Sequence, residues 1–258
     1  MNNAAPTPSG SPYGKSSVEM TVEEFIAAQP RFTWRRTVLR FGIRWVILKL
    51  MCRTTVMGTE NIPNEGGAIL MMNHITLLDP LLCVGAILNR FVIPMSKIEN
   101  LHTPIVGTLI RWYGGFMVNR GEVDRKALTN SIELIKNGQL ILIAPEGTRQ
   151  KHGLTEAKDG LAYVATKADA IIIPAAISGP GNWLGELKRL RRPRYVVAFG
   201  KPFRFKTDGK GRVSREALSM MSHEAMYQLA ATLTDPEQRG VYRDLSKATT
   251  EHLEFLHL

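Results

Sequence analysis

At 258 residues and 44% apolar content, the chain is long enough to bury one substantial core and suits one α/β domain with a terminal appendage. Its 33 lysines and arginines outnumber 23 aspartates and glutamates, and the net charge of +10 points to a polyanionic partner, nucleic acid or an anionic membrane. Two cysteines form no disulfide framework, six scattered histidines form no ligand set, and no stretch reaches the roughly 20 uncharged apolar residues that span a bilayer.

No metal or cofactor is therefore expected. No RNP, zinc-finger or helix-turn-helix pattern is present, so nucleic acid is not the expected partner, and the placement of the cations favours a membrane.

Residues 1–18 are rich in Asn, Pro, Ser, Gly and Ala and lack an apolar h-region, so they read as a disordered leader. Residues 19–53 are expected to be helical and membrane-associating: a short helix over 21–29, then a longer one over 32–53. At 100° per residue, Trp34, Val38, Phe41, Trp45, Leu48 and Cys52 form one apolar stripe. Phe32, Leu39, Ile43, Val46 and Leu50 form another, roughly opposite. Arg36, Arg40 and Arg44 separate the stripes on one side; Arg35, Lys49 and Arg53 do so on the other. One stripe is expected to dock on the domain while the second enters the acyl boundary, with the cations reaching phosphate head groups. The competing reading is a helix sandwiched within the protein or a dimer.

Residues 54–235 carry seven strand-like runs: 54–57, 68–72, 91–95, 115–118, 140–143, 171–177 and 195–199. Helical patterns lie between most of them, at 80–88, 103–111, 125–136 and 161–167, and Asn137-Gly138 supplies a helix stop. This alternation predicts an α/β layered sheet. The cluster Lys188-Arg189-Leu190-Arg191-Arg192-Pro193-Arg194 reads either as a solvated loop or as an attraction to anionic lipid. Residues 214–233 predict an amphipathic helix, and the tail 236–258 shows no pattern.

The chemistry gathers at the ends of the strand-like runs. Asn73-His74-Ile75-Thr76-Leu77-Leu78-Asp79 follows the run 68–72, placing a histidine at a strand mouth with a carboxylate five residues on. Such a pair can take a proton near neutral pH, and it resembles a hydrolase triad without its nucleophile. The activated hydroxyl then belongs to the substrate, which implies direct group transfer to an alcohol. The plain alternative makes Asp79 the N-cap of a helix with Pro80 at its first position. Arg120 ends the block 114–120, and Glu146-Gly147-Thr148-Arg149 ends the run 140–143. Arginine matches phosphate oxygens with a planar fork.

These blocks, with the apolar run around Pro174, stand in the order of the PlsC-type glycerolipid acyltransferases, whose pattern is NHxxxxD, a Gly-rich block ending in Arg, (F)PEGTR, and an apolar block with Pro. The resemblance runs from about residue 55 to 205. Asn119 stands where the family usually has Asp, Ala144 where Phe is common, and Gln150 where Ser is common; none removes a group assigned to chemistry. The resemblance implies a mixed sheet of about seven strands, flanked by helices and preceded by the amphipathic segment. It implies His74 as base, oriented by Asp79, acting on 1-acylglycerol-3-phosphate (lysophosphatidate) to give phosphatidate. Arg120, Arg149 and Lys97 would hold the phosphate. Glu146, Gly147 and Thr148 would line the same loop, Glu146 binding the glycerol or locking the loop by pairing with an arginine. The donor would be acyl-CoA or acyl carrier protein, and the location the cytoplasmic face of the membrane, peripheral or monotopic. Glycerol-3-phosphate, lyso-ornithine lipid and other lysophospholipids remain alternative acceptors, and a silent lipid-binding protein the alternative class.

Overall fold

The computed structural model describes residues 20–118, 125–207 and 213–257. Two helices lead in: α1 (Val22–Ala27) and α2 (Gln29–Gly42), the latter passing into a π-helical segment (Ile43–Met51). There follow β1 (Arg53–Met57), β2 (Ala68–Met72), α3 (Asp79–Ala86), β3 (Val92–Lys97), α4 (Pro104–Tyr113), β4 (Phe116–Val118), α5 (Arg125–Lys136) and β5 (Leu140–Ile143). The chain continues through α6 (Gly160–Ala168), β6 (Ile171–Ser178), α7 (Trp183–Lys188), β7 (Arg194–Phe199), β8 (Phe203–Phe205), α8 (Arg215–Thr232) and β9 (Leu253–Phe255).

The seven expected strands all form and lie in the order β1-β7-β6-β2-β5-β3-β4. Neighbours are parallel except β6 with β7. β8 and β9 add an antiparallel flap to β6, bringing the sheet to nine strands among the described residues. Leu253–Phe255 comes from the tail in which the sequence shows no pattern.

Helices cover both faces, which is why β2 reads as an unbroken apolar run. Ile69 and Met71 face a core layer with α1, α5, α6 and α8. Ala68, Leu70 and Met72 face a second layer with α3 and the π-helical segment. Pro174 sits inside the central strand β6 without breaking it. On that side β8 pairs with Ile172 and β7 only from Ala175 onward, so the missing N–H falls at the gap between partners.

The amino-terminal helix departs from expectation in an instructive way. Trp34, Val38, Phe41 and Trp45 are exposed, and Phe32 and Ile43 are buried. Beyond Trp45 the two stripes exchange sides: Leu48 and Cys52 are buried, while Val46 and Leu50 are exposed. A π-helix aligns residues five apart, as the bond from Cys52 N to Ile47 O at 2.9 Å shows. Ile43 and Leu48 therefore stay on the inner side and Trp45 and Leu50 on the outer, so a wheel drawn at 100° fails there.

The cations also differ from expectation. Arg36 does not reach outward; it is 3% exposed. Its guanidinium donates to Tyr113 O at 2.9 Å, Gly114 O at 3.0 Å and Gln29 Oε1 at 2.7 Å, and it lies over the rings of Phe32 and Tyr113. Burial lowers its pKa to about 10, which leaves it charged at neutral pH. Arg40 donates to Leu88 O at 3.1 Å and Arg44 to Gly85 O at 3.3 Å, at and just past the end of α3. This row of arginines fastens the helix to the domain. Arg36→Ala would strand three acceptors, so we expect a loss of about 2–4 kcal/mol in chemical denaturation and a smaller loss for Arg40→Ala. Equal, small losses would show that Arg36 is not the principal anchor.

Candidate active site

Parallel register brings the motif blocks to one edge. Met71 pairs with Ile143 across β2 and β5, and Lys97 with Val118 across β3 and β4. The carboxyl ends of β2, β3, β4 and β5 therefore share the edge where open α/β sheets bind ligands. Arg120 lies outside the described residues. For Lys97 the backbone position at this edge is established.

Asn73 continues β2 with its side chain. Its Nδ2 donates to Ile177 O at 2.9 Å and its Oδ1 accepts from Ile177 N at 2.7 Å. This amide takes the place of a ladder residue and fixes where the next residue begins. Asn73 is fully buried, a structural part that the sequence reading quoted without a role.

The next residue is His74, whose side chain is 20% exposed; its Nδ1 lies 3.1 Å from Asp79 Oδ2. The same Oδ2 accepts from Ile75 N and Thr76 N, both at 2.6 Å, and Oδ1 accepts from Thr76 Oγ1 at 2.7 Å. A carboxylate so placed requires Nδ1 to donate, which leaves the lone pair on Nε2. The chain N-caps α3 with Leu78, and no side-chain cap bond forms. Asp79 thus reaches back into its own loop toward His74, and the plain N-cap reading does not hold.

The second loop closes over the first. Gln150 N donates to His74 O at 2.7 Å. Glu146 is buried and accepts at Oε1 from Thr155 N at 2.9 Å and Thr155 Oγ1 at 3.4 Å. Burial raises its pKa, opposed by hydrogen bonds from Thr155 and from the His74 backbone. These bonds tie Glu146 to the backbone of its own loop and of His74. Gly147 has φ +74°, a left-handed backbone that favours glycine, and a Cβ there would meet Lys158 Nζ at 3.2 Å. Thr148 and Arg149 are exposed, and Arg149 makes no side-chain bond among the described residues. Lys158 places a further cation against Gly147 that the sequence alone did not single out. Its only signal was nearness to the Glu-Gly-Thr-Arg block.

The carboxyl-terminal segment also supports this loop. Leu154 N donates to Gln238 O and Val241 N to Leu154 O, both at 3.0 Å. Gly240 has φ +53°, and a Cβ there would lie 2.0 Å from Leu154 O. The tail is itself held by the buried Glu224, which accepts from Thr249 Oγ1, Glu251 N and His252 N. Cys52 and Cys83 are buried and burial raises the pKa of both thiols, which leaves them protonated at neutral pH. Among the described residues no cluster of metal-ligating side chains occurs.

Residues 53–178 match the family model described as Acyltransferase. A 1-acyl-sn-glycerol-3-phosphate acyltransferase of Borreliella burgdorferi is 34% identical over 131 residues, 50% of this chain and 52% of that protein. The enzyme of the same name from Bacillus subtilis is 27% identical over 183 residues, 71% of this chain and 89% of its own. The chain thus spans about half the length of the first relative and most of the second. The crystal structure of PlsC from Thermotoga maritima superposes with a TM-score of 0.54 over 85% of this chain and 81% of that one; at 23% identity this shows the fold. Residues 53–178 thus carry the acyltransferase family's pattern, on a fold shared with PlsC.

Thr76→Val removes one of the donors to Asp79, a charge-assisted bond. We expect turnover to fall about tenfold or more, with Thr76→Ser retaining most of it. Equal activity of the Val and Ser variants would mean that the hydroxyl does not hold the carboxylate.

Proposed function

We propose that the protein transfers a fatty acyl group from acyl-CoA or acyl carrier protein to the free hydroxyl of 1-acylglycerol-3-phosphate, forming phosphatidate. The observation that carries this reading is the His74–Asp79 pair, with Nδ1 committed to the carboxylate and Nε2 left for a substrate. His74 Nε2 takes the proton of the acceptor hydroxyl as its oxygen attacks the thioester carbonyl. Asp79 stabilises the resulting imidazolium. Collapse of the tetrahedral intermediate breaks the C–S bond, and the imidazolium returns its proton to the departing thiolate.

Arg149, exposed at the same edge, supplies a fork for the acceptor's phosphate, with Lys158 beside Gly147 adding charge. We assign Arg120 and Lys97 to the same phosphate on the strength of the family pattern and the shared edge of β3 and β4. Glu146 is assigned to holding the loop, and Gly147 and Thr148 to its approach to the reacting carbonyl.

The exposed stripe Trp34, Val38, Phe41, Trp45 and Leu50 supports attachment to the cytoplasmic leaflet, where the lysolipid resides. Among the described residues no helix is long and apolar enough to cross a membrane.

The test is an acyl-transfer assay over a panel of lyso-acceptors with both donor types. His74→Ala is expected to keep the fold and lose roughly 100- to 10,000-fold in turnover. Near wild-type turnover in that variant would refute the mechanism. Arg149→Ala should lower catalytic efficiency at least about tenfold on phosphate-bearing acceptors and far less on acceptors without phosphate. Equal losses on both would remove Arg149 from phosphate recognition.

A further inference from the structure

The loop after α7 combines two local costs that its own fold does not require. Leu190 N donates to Leu187 O and Arg191 N to Glu186 O, both at 2.9 Å, which makes the helix end a Schellman motif with Leu190 at the left-handed position. Its φ is +56°, where glycine is the usual residue and a leucine is strained. The side chain is also 95% exposed, so burial within the chain does not offset the strain. Local strain joined to full apolar exposure marks a place where something other than folding selects the residue.

Its surroundings say what that is. Lys188, Arg189, Arg191 and Arg194 flank it, all exposed, and none has a carboxylate partner among the described residues. Arg192 turns the other way: its guanidinium donates to Cys52 O at 2.7 Å and to Lys49 O. That contact ties the loop to the end of the π-helical segment, where Leu50 is 69% exposed. The leucine and its flanking cations are therefore tethered to the end of the segment that carries the exposed stripe.

We propose that the 188–194 loop is a second membrane-contact element, with Leu190 entering the acyl boundary and its flanking cations meeting anionic head groups. This rests on the membrane-attached reading above and adds a second, separate point of contact. A lipid surface offers charge and apolar depth in the right order from outside to inside. An acidic protein would answer the cations but leave the leucine and the adjoining aromatic stripe uncovered. Two contacts, the stripe and the loop tied to its carboxyl end, fix the rotation of the domain on the membrane. The β6–α7 connection also joins this loop to the site, since Tyr195 donates to Pro180 O at 2.9 Å and Gly181 packs near Ile75.

The native thiols are both buried, so Leu190→Cys can be labelled selectively with an environment-sensitive fluorophore. On vesicles of phosphatidylglycerol and phosphatidylcholine the label should shift to the blue, and it should not do so on phosphatidylcholine alone. Leu190→Gly should melt no lower than wild type, since it relieves the left-handed strain. It should bind the mixed vesicles about tenfold more weakly and acylate vesicle-borne lysolipid correspondingly slowly. Its rate on a short-chain, water-soluble acceptor should be unchanged. If wild type binds the vesicles while the label stays in water, the loop is not a contact and the helix alone attaches the protein. If wild type does not bind, the membrane reading fails with the loop. Unchanged vesicle binding in Leu190→Gly, with a loss confined to acyl carrier protein as donor, would assign the loop to that acidic partner and overturn the proposal.

Discussion

A carboxylate that is 1% exposed has to have its oxygens answered by donors, and this requirement shapes the loop after β2. Asp79 draws in two backbone amides, a hydroxyl and the His74 ring, all from the five residues in front of it. The same bonds close the loop, aim the imidazole and set its tautomer. Folding and chemistry are thus one set of interactions here, and the ring cannot be re-aimed without leaving donors or the carboxylate unsatisfied. Asn73 anchors the near end to β6, and α3 begins at the far end.

The rest of the molecule holds that loop against its neighbours. Gln150 closes the Glu-Gly-Thr-Arg loop onto His74, Glu146 holds the loop from within, and the segment around Gly240 backs it through Leu154. On the other face, Arg36 binds the carbonyls of Tyr113 and Gly114 where α4 gives way to β4. The amino-terminal helix is thereby fixed to the strand that leads toward Arg120. The exposed aromatic stripe and the motif-bearing sheet edge are joined by a charged side chain inside the core.

The strands were legible because a parallel sheet covered on both faces needs continuous apolar runs, and all seven runs became strands. The His74–Asp79 pair was legible because both partners lie within one short local loop. What escaped reading depended on distant partners. β8 and β9 are three residues each and exist only by pairing with one another and with β6. Arg36 looked like a surface cation because its acceptors lie at the end of α4, far along the chain. The exchange of apolar stripes within Ile43–Met51 was hidden because residue periodicity does not announce a change from α to π spacing. The backbone amides of Thr155 and His74 that meet Glu146 also lie outside its own motif block, so their contact with it could not be read from that block.

The central claim is that the acceptor hydroxyl is activated in place and attacks the thioester directly, with the protein carrying no acyl group between steps. The sharpest test mixes the protein with acyl thioester in the absence of any acceptor and follows free thiol on a fast time scale. Direct transfer predicts no rapid phase, only slow hydrolysis, with thiol release starting when lysophosphatidate is added. A rapid release of one thiol per chain before acceptor is added, with a recoverable acyl-protein adduct, would contradict the account.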